Sequence, residues 1–139
     1  MRKTLAAVLV AGVLSLAGEP VWAHHAFAAE FDASKPIKLK GTVTKMEWIN
    51  PHAWIHIDVK GEDGNVSPWM IEAAAPNSLL RRGFTKNSLL PDMEIVVEGY
   101  QAKDGANRAN GSIITFIDGR KLFVGAAAGE PGAPPRKDK

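Results

Sequence analysis

Residues 48–56, Trp-Ile-Asn-Pro-His-Ala-Trp-Ile-His, are the stretch that decides the fold. They lie between the two longest strand-like segments of the chain. The first segment begins just after Pro36, and its alternation changes phase beyond Gly41, which predicts a bulge or bend at this glycine. The second segment alternates again after the Asn50-Pro51 break. Its apolar face carries Ile55, Ile57 and Val59, and its other face carries Trp54, His56 and Asp58.

Turn residues divide the remainder of the chain into shorter elements. A hairpin is predicted at residues 61–65, where glycine, aspartate and asparagine cluster. A short helix near residues 77–82 is predicted because Pro76 can open it and Gly83 can close it. The predicted strands after the hairpin are 69–72, 94–101 and 113–117, with a short partner at 121–124 and a polar loop at 103–111.

The order of these elements is three strands, one short helix, two strands and a terminal ribbon. This order is typical of an OB-like fold, a small, partly open five-stranded Greek-key barrel with a helix between strands three and four. We therefore predict an all-β barrel domain over residues 37–124. An open β-sandwich is the alternative architecture, and it explains the single helix in the middle of the chain less well.

Residues 1–23 have the features of a signal peptide. Two basic residues, Arg2 and Lys3, precede an uncharged apolar run at 5–16, and small or medium side chains stand before a cleavage site after Ala23. A transmembrane anchor is the alternative, but the apolar run is shorter than the ~20 residues that a spanning helix needs. A second acceptable site at 26–28 would leave an unusually long segment before cleavage. We expect export to the periplasm.

The mature chain is predicted to have an arm at 24–36, the barrel, and a tail at 125–139. In the arm, Phe27 and Phe31 stand four residues apart, so one helical turn can bury both rings. The tail consists mainly of Ala, Gly, Pro and Lys. We predict that it is disordered, because such residues offer too little apolar surface to offset the entropy of ordering.

Composition excludes several function classes. The formal net charge is +2 and falls to about +1 without the leader, which leaves no basic footprint for nucleic acid. The sequence has no cysteine, so disulfides, thiolate metal sites and thiol catalysis are excluded. No catalytic triad order, phosphate loop or glycine-rich fingerprint is present, and no catalytic residue is assigned. Beyond the leader, no apolar segment is long enough to span a membrane.

Five sequence blocks together resemble a known family: HHAFAAEFD directly after the leader, WINPHAWIHIDV, WMIEAAAPNSLLRRG, VEGYQAKDG and ITFIDGRKLF. The family consists of small exported bacterial proteins and is known only as a domain of unknown function. The resemblance runs from about His24 to Val124, and the HHAF and NPHAW blocks are its most specific parts. It implies an exported small β-barrel, and it carries over no activity and no catalytic residues.

All four histidines fall in two clusters, His24 with His25 and His52 with His56. Cleavage after Ala23 makes His24 the mature N-terminus, so that its amine and its imidazole can chelate one metal ion together. A third nitrogen from the fold would give a T-shaped site resembling the histidine brace of copper proteins. His25 can contribute through its side chain or its amide. Nitrogen ligation suits copper, with zinc as the less favoured metal.

We expect the distant nitrogen from His52. Residues four apart on a strand lie roughly 13 Å from each other, so His52 and His56 cannot both ligate one ion unless the strand bends. His52 follows Pro51 near the mouth of the barrel. His56 shares its face with Trp54 and Asp58, and the Asp58 carboxylate could orient an imidazole.

The same histidines also fit purely structural roles. The first cluster could be an exposed chain end that binds nothing. His52 could cap the start of a strand by bonding a backbone group, and His56 could be a half-buried residue on a sheet face.

Tryptophan provides a different hypothesis. Trp48, Trp54 and Trp69 could form an aromatic platform for a ligand, as barrels of this class use, or they could simply pack. By alternation, Trp48 and Trp69 point inward and Trp54 lies at the surface. Two function classes remain: a metal-binding protein, or a non-enzymatic accessory module that contacts a small ligand or a protein partner through the face carrying Trp54 and Asp58.

The position of the mature N-terminus separates the metal hypothesis from its alternatives. We expect N-terminal sequencing of the exported protein to begin at His24, because the cleavage site after Ala23 best matches the signal. Any other first residue would remove the chelating amine of His24 and contradict the brace.

Overall fold

The computed structural model describes residues 27–125 of the chain. The predicted signal peptide, His24, His25 and residues 126–139 of the predicted tail lie outside the described residues. Within 27–125, a helical turn at residues 27–30 precedes six strands and one further helix. They are β1 (Phe31–Glu47), β2 (Trp54–Lys60), β3 (Val66–Glu72), α1 (Pro76–Arg81), β4 (Glu94–Ala102), β5 (Arg108–Phe116) and β6 (Lys121–Phe123).

The strands form one sheet that closes on itself. Its order is β3-β2-β1-β4-β5-β6 with antiparallel neighbours, and β3 also pairs with β5 in parallel. This extra pairing joins β1, β2, β3, β5 and β4 into a ring, while β6 lies outside the ring against β5. The parallel ladder spans only residues 70–72 and 108–110, so the ring is closed unevenly. The predicted OB-like five-stranded barrel with a helix between strands three and four is confirmed.

The first strand pairs with two different strands along its length. Residues 36–42 of β1 pair with β4, and residues 42–47 pair with β2, so that Thr42 has partners on both sides, Glu94 and Asp58. The strand begins at Phe31, earlier than the predicted start after Pro36. Register shifts lie between Phe31 and Pro36 and between Val43 and Lys45. The bulge in the part of β1 that pairs with β2 is therefore at Thr44.

The prediction of a bulge or bend at Gly41 was wrong, because the register shift of this region lies between Val43 and Lys45. Gly41 is not among the described residues with positive φ, and its pairing with Ile95 continues the regular ladder to β4. Glycine is needed here for a different reason. A Cβ at this position would lie 2.9 Å from the carbonyl oxygen of Asp58 and 3.0 Å from Cδ1 of Ile57, so the backbones of β1 and β2 can approach closely only without a side chain.

The barrel interior is filled by the apolar residues that alternation predicted. Ile55 and Ile57 of β2 are fully buried, together with Ile71 of β3. Trp48 and Trp69 pack against this core as expected, and the ring of Trp48 stacks on Phe84 with centroids 6.2 Å apart. Further buried members of the core are Val43, Leu79, Leu89, Ile95, Val97 and Ile114.

The predicted helix and its end are both present. Pro76 stands in the first turn of α1, where its missing N–H leaves no hydrogen bond unmade. Gly83 follows the helix with φ of 79°, the left-handed conformation that glycine adopts without strain. Leu79 anchors the helix to the core, because its side chain is fully buried.

The polar loop predicted at 103–111 is shorter than expected, because β5 already begins at Arg108. The Asn110-Gly111 dipeptide favours a turn in isolation, but Asn110 pairs with Glu72 in the parallel ladder. A Cβ at Gly111 would lie 2.7 Å from Cγ2 of Ile71. The glycine therefore allows β5 to lie close to β3, and closure of the ring overrides the local turn preference.

The arm before β1 is fixed to one end of the barrel. Phe27 and Phe31 are both buried in a second apolar cluster, with ring centroids 5.8 Å apart as the helical turn predicts. Phe27 also meets Tyr100 edge to face. The Lys103 amide donates to the carbonyl oxygen of Glu30 at 2.9 Å. Among the described residues, neither helix is long and apolar enough to cross a membrane.

Substituting Gly41 by alanine tests the close approach of β1 to β2. We expect Gly41→Ala to lower the free energy of unfolding by about 1–3 kcal/mol, because the added methyl group must displace packed atoms. Thr44→Ala, at the exposed bulge of the same strand, is the matched control and should change it by less than about 0.5 kcal/mol. Urea denaturation of both variants measures the difference. Equal stability of Gly41→Ala and the parent would show that β2 does not constrain this position.

Candidate functional site

The polar residues of the candidate site lie on the outer face of β1, β2 and β3. The opposite face of these strands carries Ile55 and Ile57 and lines the barrel interior. Paired residues on neighbouring strands point to the same side of a sheet. The register therefore arranges this outer face in two rows across the strands. One row is Glu47, Trp54 and Glu72, and the other is Lys45, His56 and Met70.

His52 lies in the connection between β1 and β2, beside the end of β3. Backbone bonds between Ala53 and the segment after β3 hold the connection there, with the Ala73 amide donating to the Ala53 carbonyl at 2.9 Å. Nδ1 of His52 lies 2.7 Å from Oε1 of Glu72. The Glu72 side chain is only 9% exposed, while that of His52 is 33% exposed. A carboxylate against Nδ1 favours the tautomer with the proton on that nitrogen, which leaves the lone pair on Nε2.

His56 faces a second carboxylate in a looser arrangement. Its Nε2 lies 3.5 Å from Oε1 of Glu47. The same nitrogen is shielded from solvent, and no hydrogen-bond partner for it is present among residues 27–125. Lys45 also contacts Oε1 of Glu47. The hydrogen bond from Lys45 holds the pKa of the Glu47 carboxyl below its usual value, and the attraction of His56 lowers it further.

Trp54 separates the two histidine–carboxylate pairs. Its register partners are Glu47 on β1 and Glu72 on β3, and its side chain is half-buried at the surface, as predicted. Asp58 lies two positions beyond His56 on the same face, between Thr42 and Pro68. The carboxylate in contact with His56 is that of Glu47, whereas the sequence had suggested Asp58.

The predicted metal ligands are therefore distributed as follows. His52 and His56 belong to different pairs, one on each side of Trp54, and His24 and His25 lie outside the described residues. Within residues 27–125, no group of three or more His, Asp or Glu side chains is placed to hold a metal ion. A metal site built on His52 would need further donors from outside residues 27–125.

Two carboxylates of the candidate site were not predicted from the sequence. Glu72 could have been found from the hairpin, because a tight loop fixes the register of the strands it joins. The Gly61 amide donates to the Asn65 carbonyl at 2.8 Å, and counting outward from this loop places Trp54 opposite Glu72 and His56 opposite Met70. Glu47 had no such signal, since the bulge at Thr44 changes the count along β1.

The outer face continues from β3 onto β5. Arg108 is the parallel partner of Met70, as Asn110 is of Glu72. The guanidinium of Arg108 lies 3.6 Å from a carboxylate oxygen of Glu30 and above the ring of Phe31. The arm is thus bound next to the edge of β3.

One cavity of the barrel lies away from this face. Its volume is about 460 Å³, and it lies over β1, β4 and β5. Lys38 and Glu98, which form an ion pair at 3.3 Å, both line this cavity, together with Tyr100 and Ile113. The predicted site residues within 27–125 do not line it, so this cavity and the two described histidines lie at different places on the barrel.

A family model described as a family of unknown function, DUF6152, matches residues 11–111. This range includes the arm, both histidine clusters and the strands up to the first part of β5. The chain belongs to this family. The resemblance inferred from the HHAF and NPHAW blocks is confirmed. No curated protein and no solved structure matches the chain significantly, so any functional argument depends on the geometry of the site.

The two histidine–carboxylate pairs should differ in energy, and double-mutant cycles measure the difference. We expect His52→Ala and Glu72→Gln to couple by about 1 kcal/mol or more in the free energy of unfolding at neutral pH, because the two groups are close and Glu72 is nearly buried. The cycle of His56→Ala and Glu47→Gln is the matched comparison and should give the smaller coupling. A larger coupling for the His56–Glu47 pair would contradict the expectation that distance and burial make the His52–Glu72 contact the stronger one.

Proposed function

We propose that the protein is an exported, periplasmic metal-binding protein that holds one copper ion through His24, at the mature N-terminus, and His52. The observation that carries the proposal is the contact between His52 and the nearly buried carboxylate of Glu72, 2.7 Å apart. Metal-binding imidazoles commonly present their second nitrogen to a carboxylate, which fixes the tautomer and the ring orientation. His52 has this arrangement, with Nε2 as the donor atom.

The position of the arm supports participation of His24. Residues 27–30 are bound at the start of β5 through Glu30 and Arg108, and Arg108 is one strand away from Met70. His24 is only three residues before Phe27, a length that spans at most roughly 10 Å. The attachment of Glu30 to Arg108, beside β3, supports the inclusion of His24 among the proposed ligands.

The donors proposed here are all nitrogen atoms. The amine and imidazole of His24 and Nε2 of His52 make a T-shaped set, and His25 can add its amide or its side chain. Such a set suits Cu(II) best, with zinc as the weaker choice. The proposed role is binding and handling of the metal, without a catalytic step.

The second candidate is an accessory module that binds a small ligand or a protein partner on the outer face. The observation that favours it is the row of Glu47, Trp54 and Glu72, in which an indole lies between two carboxylates. Barrels of this type bind ligands on the face of strands two and three. Asp58 would be a further polar contact on this face.

Calorimetric titration with Cu(II) tests the copper site. We expect the mature protein to bind one equivalent at least tenfold more tightly than a form with one extra residue before His24, because the extension converts the amine into an amide. His52→Ala should also weaken binding at least tenfold through loss of the third nitrogen.

His56→Ala is the control for removing the other described histidine, and it should leave the Cu(II) affinity within about threefold of the parent. Equal affinity of all four forms would leave only adventitious binding. In that case the accessory-module function would be the better explanation of the outer face.

A further inference from the structure

Met70 is an exposed sulfur donor directly opposite a histidine. It pairs with His56 across the β2–β3 ladder, and side chains at such positions have Cβ atoms roughly 4.5–5.5 Å apart on the same side of the sheet. The Met70 side chain is 40% exposed. The other two methionines within residues 27–125, Met46 and Met93, pack against the core. Met70 is therefore the methionine of this region that a ligand can reach.

Nε2 of His56 is the second part of the argument, because its environment suits a nitrogen that binds a metal ion. It is shielded from solvent and has no hydrogen-bond partner among residues 27–125, which is unusual for a polar atom in a folded protein. Its distance of 3.5 Å to Oε1 of Glu47 is long for a hydrogen bond. Two donors bound to one ion at ~2.0–2.2 Å and an angle of roughly 110–120° lie roughly 3.3–3.8 Å apart. The observed spacing is in this range.

We propose that His56 and Met70 form a second metal site, for Cu(I), on the outer face of β2 and β3, with Nε2 and Sδ as the ligands and Glu47 as the neighbouring carboxylate. A thioether is a soft ligand that selects Cu(I) among the metals that imidazole binds. The chain has no cysteine, so methionine is its only soft side-chain donor. The site uses neither His24 nor His52 and goes beyond the proposed Cu(II) function.

The charges around the pair fit a monovalent cation. Glu47 on β1 is negative, and the ammonium of Lys45 contacts its Oε1. Lys45 is exposed on a flexible stem, with its side chain 62% accessible, so a cation can displace it without moving the backbone. On the other side of Met70, Arg108 is held by the carboxylates of Glu30 and Asp104. The ammonium of Lys45 lies at Glu47, and Cu(I) would compete with it for this carboxylate.

Titration with Ag(I), a redox-inert soft cation, tests this site, with Cu(I) added under anaerobic conditions in competition with a chromogenic chelator. We expect the form with an extra residue before His24 to bind one equivalent of either ion as tightly as the mature protein. Met70→Leu and His56→Phe should each weaken binding at least tenfold. Lys45→Ala should tighten it at least twofold, because a competing cation is removed from Glu47.

Met46→Leu is the matched control, since Met46 lies on the adjacent strand but packs against the core. Its affinity should equal that of the parent. Methionine methyl resonances give an independent readout that does not depend on a variant: Ag(I) should shift the signal of Met70 and leave those of Met46 and Met93 in place. Unchanged Ag(I) affinity of Met70→Leu would overturn the proposal. So would loss of Ag(I) binding in the extended form while Met70→Leu retains it, because the ion would then belong to the N-terminal site.

Discussion

The whole barrel depends on one strand having two partners. β1 pairs with β4 up to Thr42 and with β2 from Thr42 onward, so Thr42 is paired on both sides. At the preceding residue, Gly41, the absence of a side chain lets the carbonyl of Asp58 come close. A long strand that pairs first on one edge and then on the other has to coil, because strong local twist accompanies such a change. The ring of five strands follows from this coiling, since it brings β4 and β2 to opposite edges of the same strand.

The bulge at Thr44 connects this architecture to the candidate site. Before the bulge, Val43 is opposite Ile57 in the core, and after it Lys45 is opposite His56 on the outer face. A shift of one residue moves every following side chain to the other side of a sheet. With a regular ladder, Met46 would be opposite Trp54 and Lys45 would point into the barrel. The bulge is therefore what places Glu47 beside Trp54 and near His56.

The outer face carries two histidine–carboxylate pairs, His52 with Glu72 and His56 with Glu47, in different environments. His52 meets a carboxylate that is nearly buried, at a short distance, and its ring is fixed for donation through Nε2. His56 meets a half-buried carboxylate that it shares with Lys45, and Met70 is the residue opposite it on β3. Imidazole with further nitrogen donors suits Cu(II), whereas imidazole with a thioether suits Cu(I). Under the two proposals, Cu(II) and Cu(I) would therefore use different donors, with Trp54 between the two histidines.

The sequence by itself determined the fold class, the helix between strands three and four, the inward position of Trp48 and Trp69 and the surface position of Trp54. These features follow from local alternation, from Pro76 and Gly83, and from the family membership that the HHAF and NPHAW blocks indicated. The hairpin at 61–65 was also predicted from its turn residues. Export, the cleavage site and the use of His24 remain predictions from the sequence.

Only the tertiary structure decided the rest. The bulge lies at Thr44 rather than Gly41, and Arg108 to Gly111 form a strand rather than a loop, because long-range pairing overrides local turn preference. Glu47 and Glu72 come to lie on either side of Trp54 from positions far apart in the chain. Such contacts depend on which strands become neighbours when the ring closes, and no local pattern of residues encodes that choice.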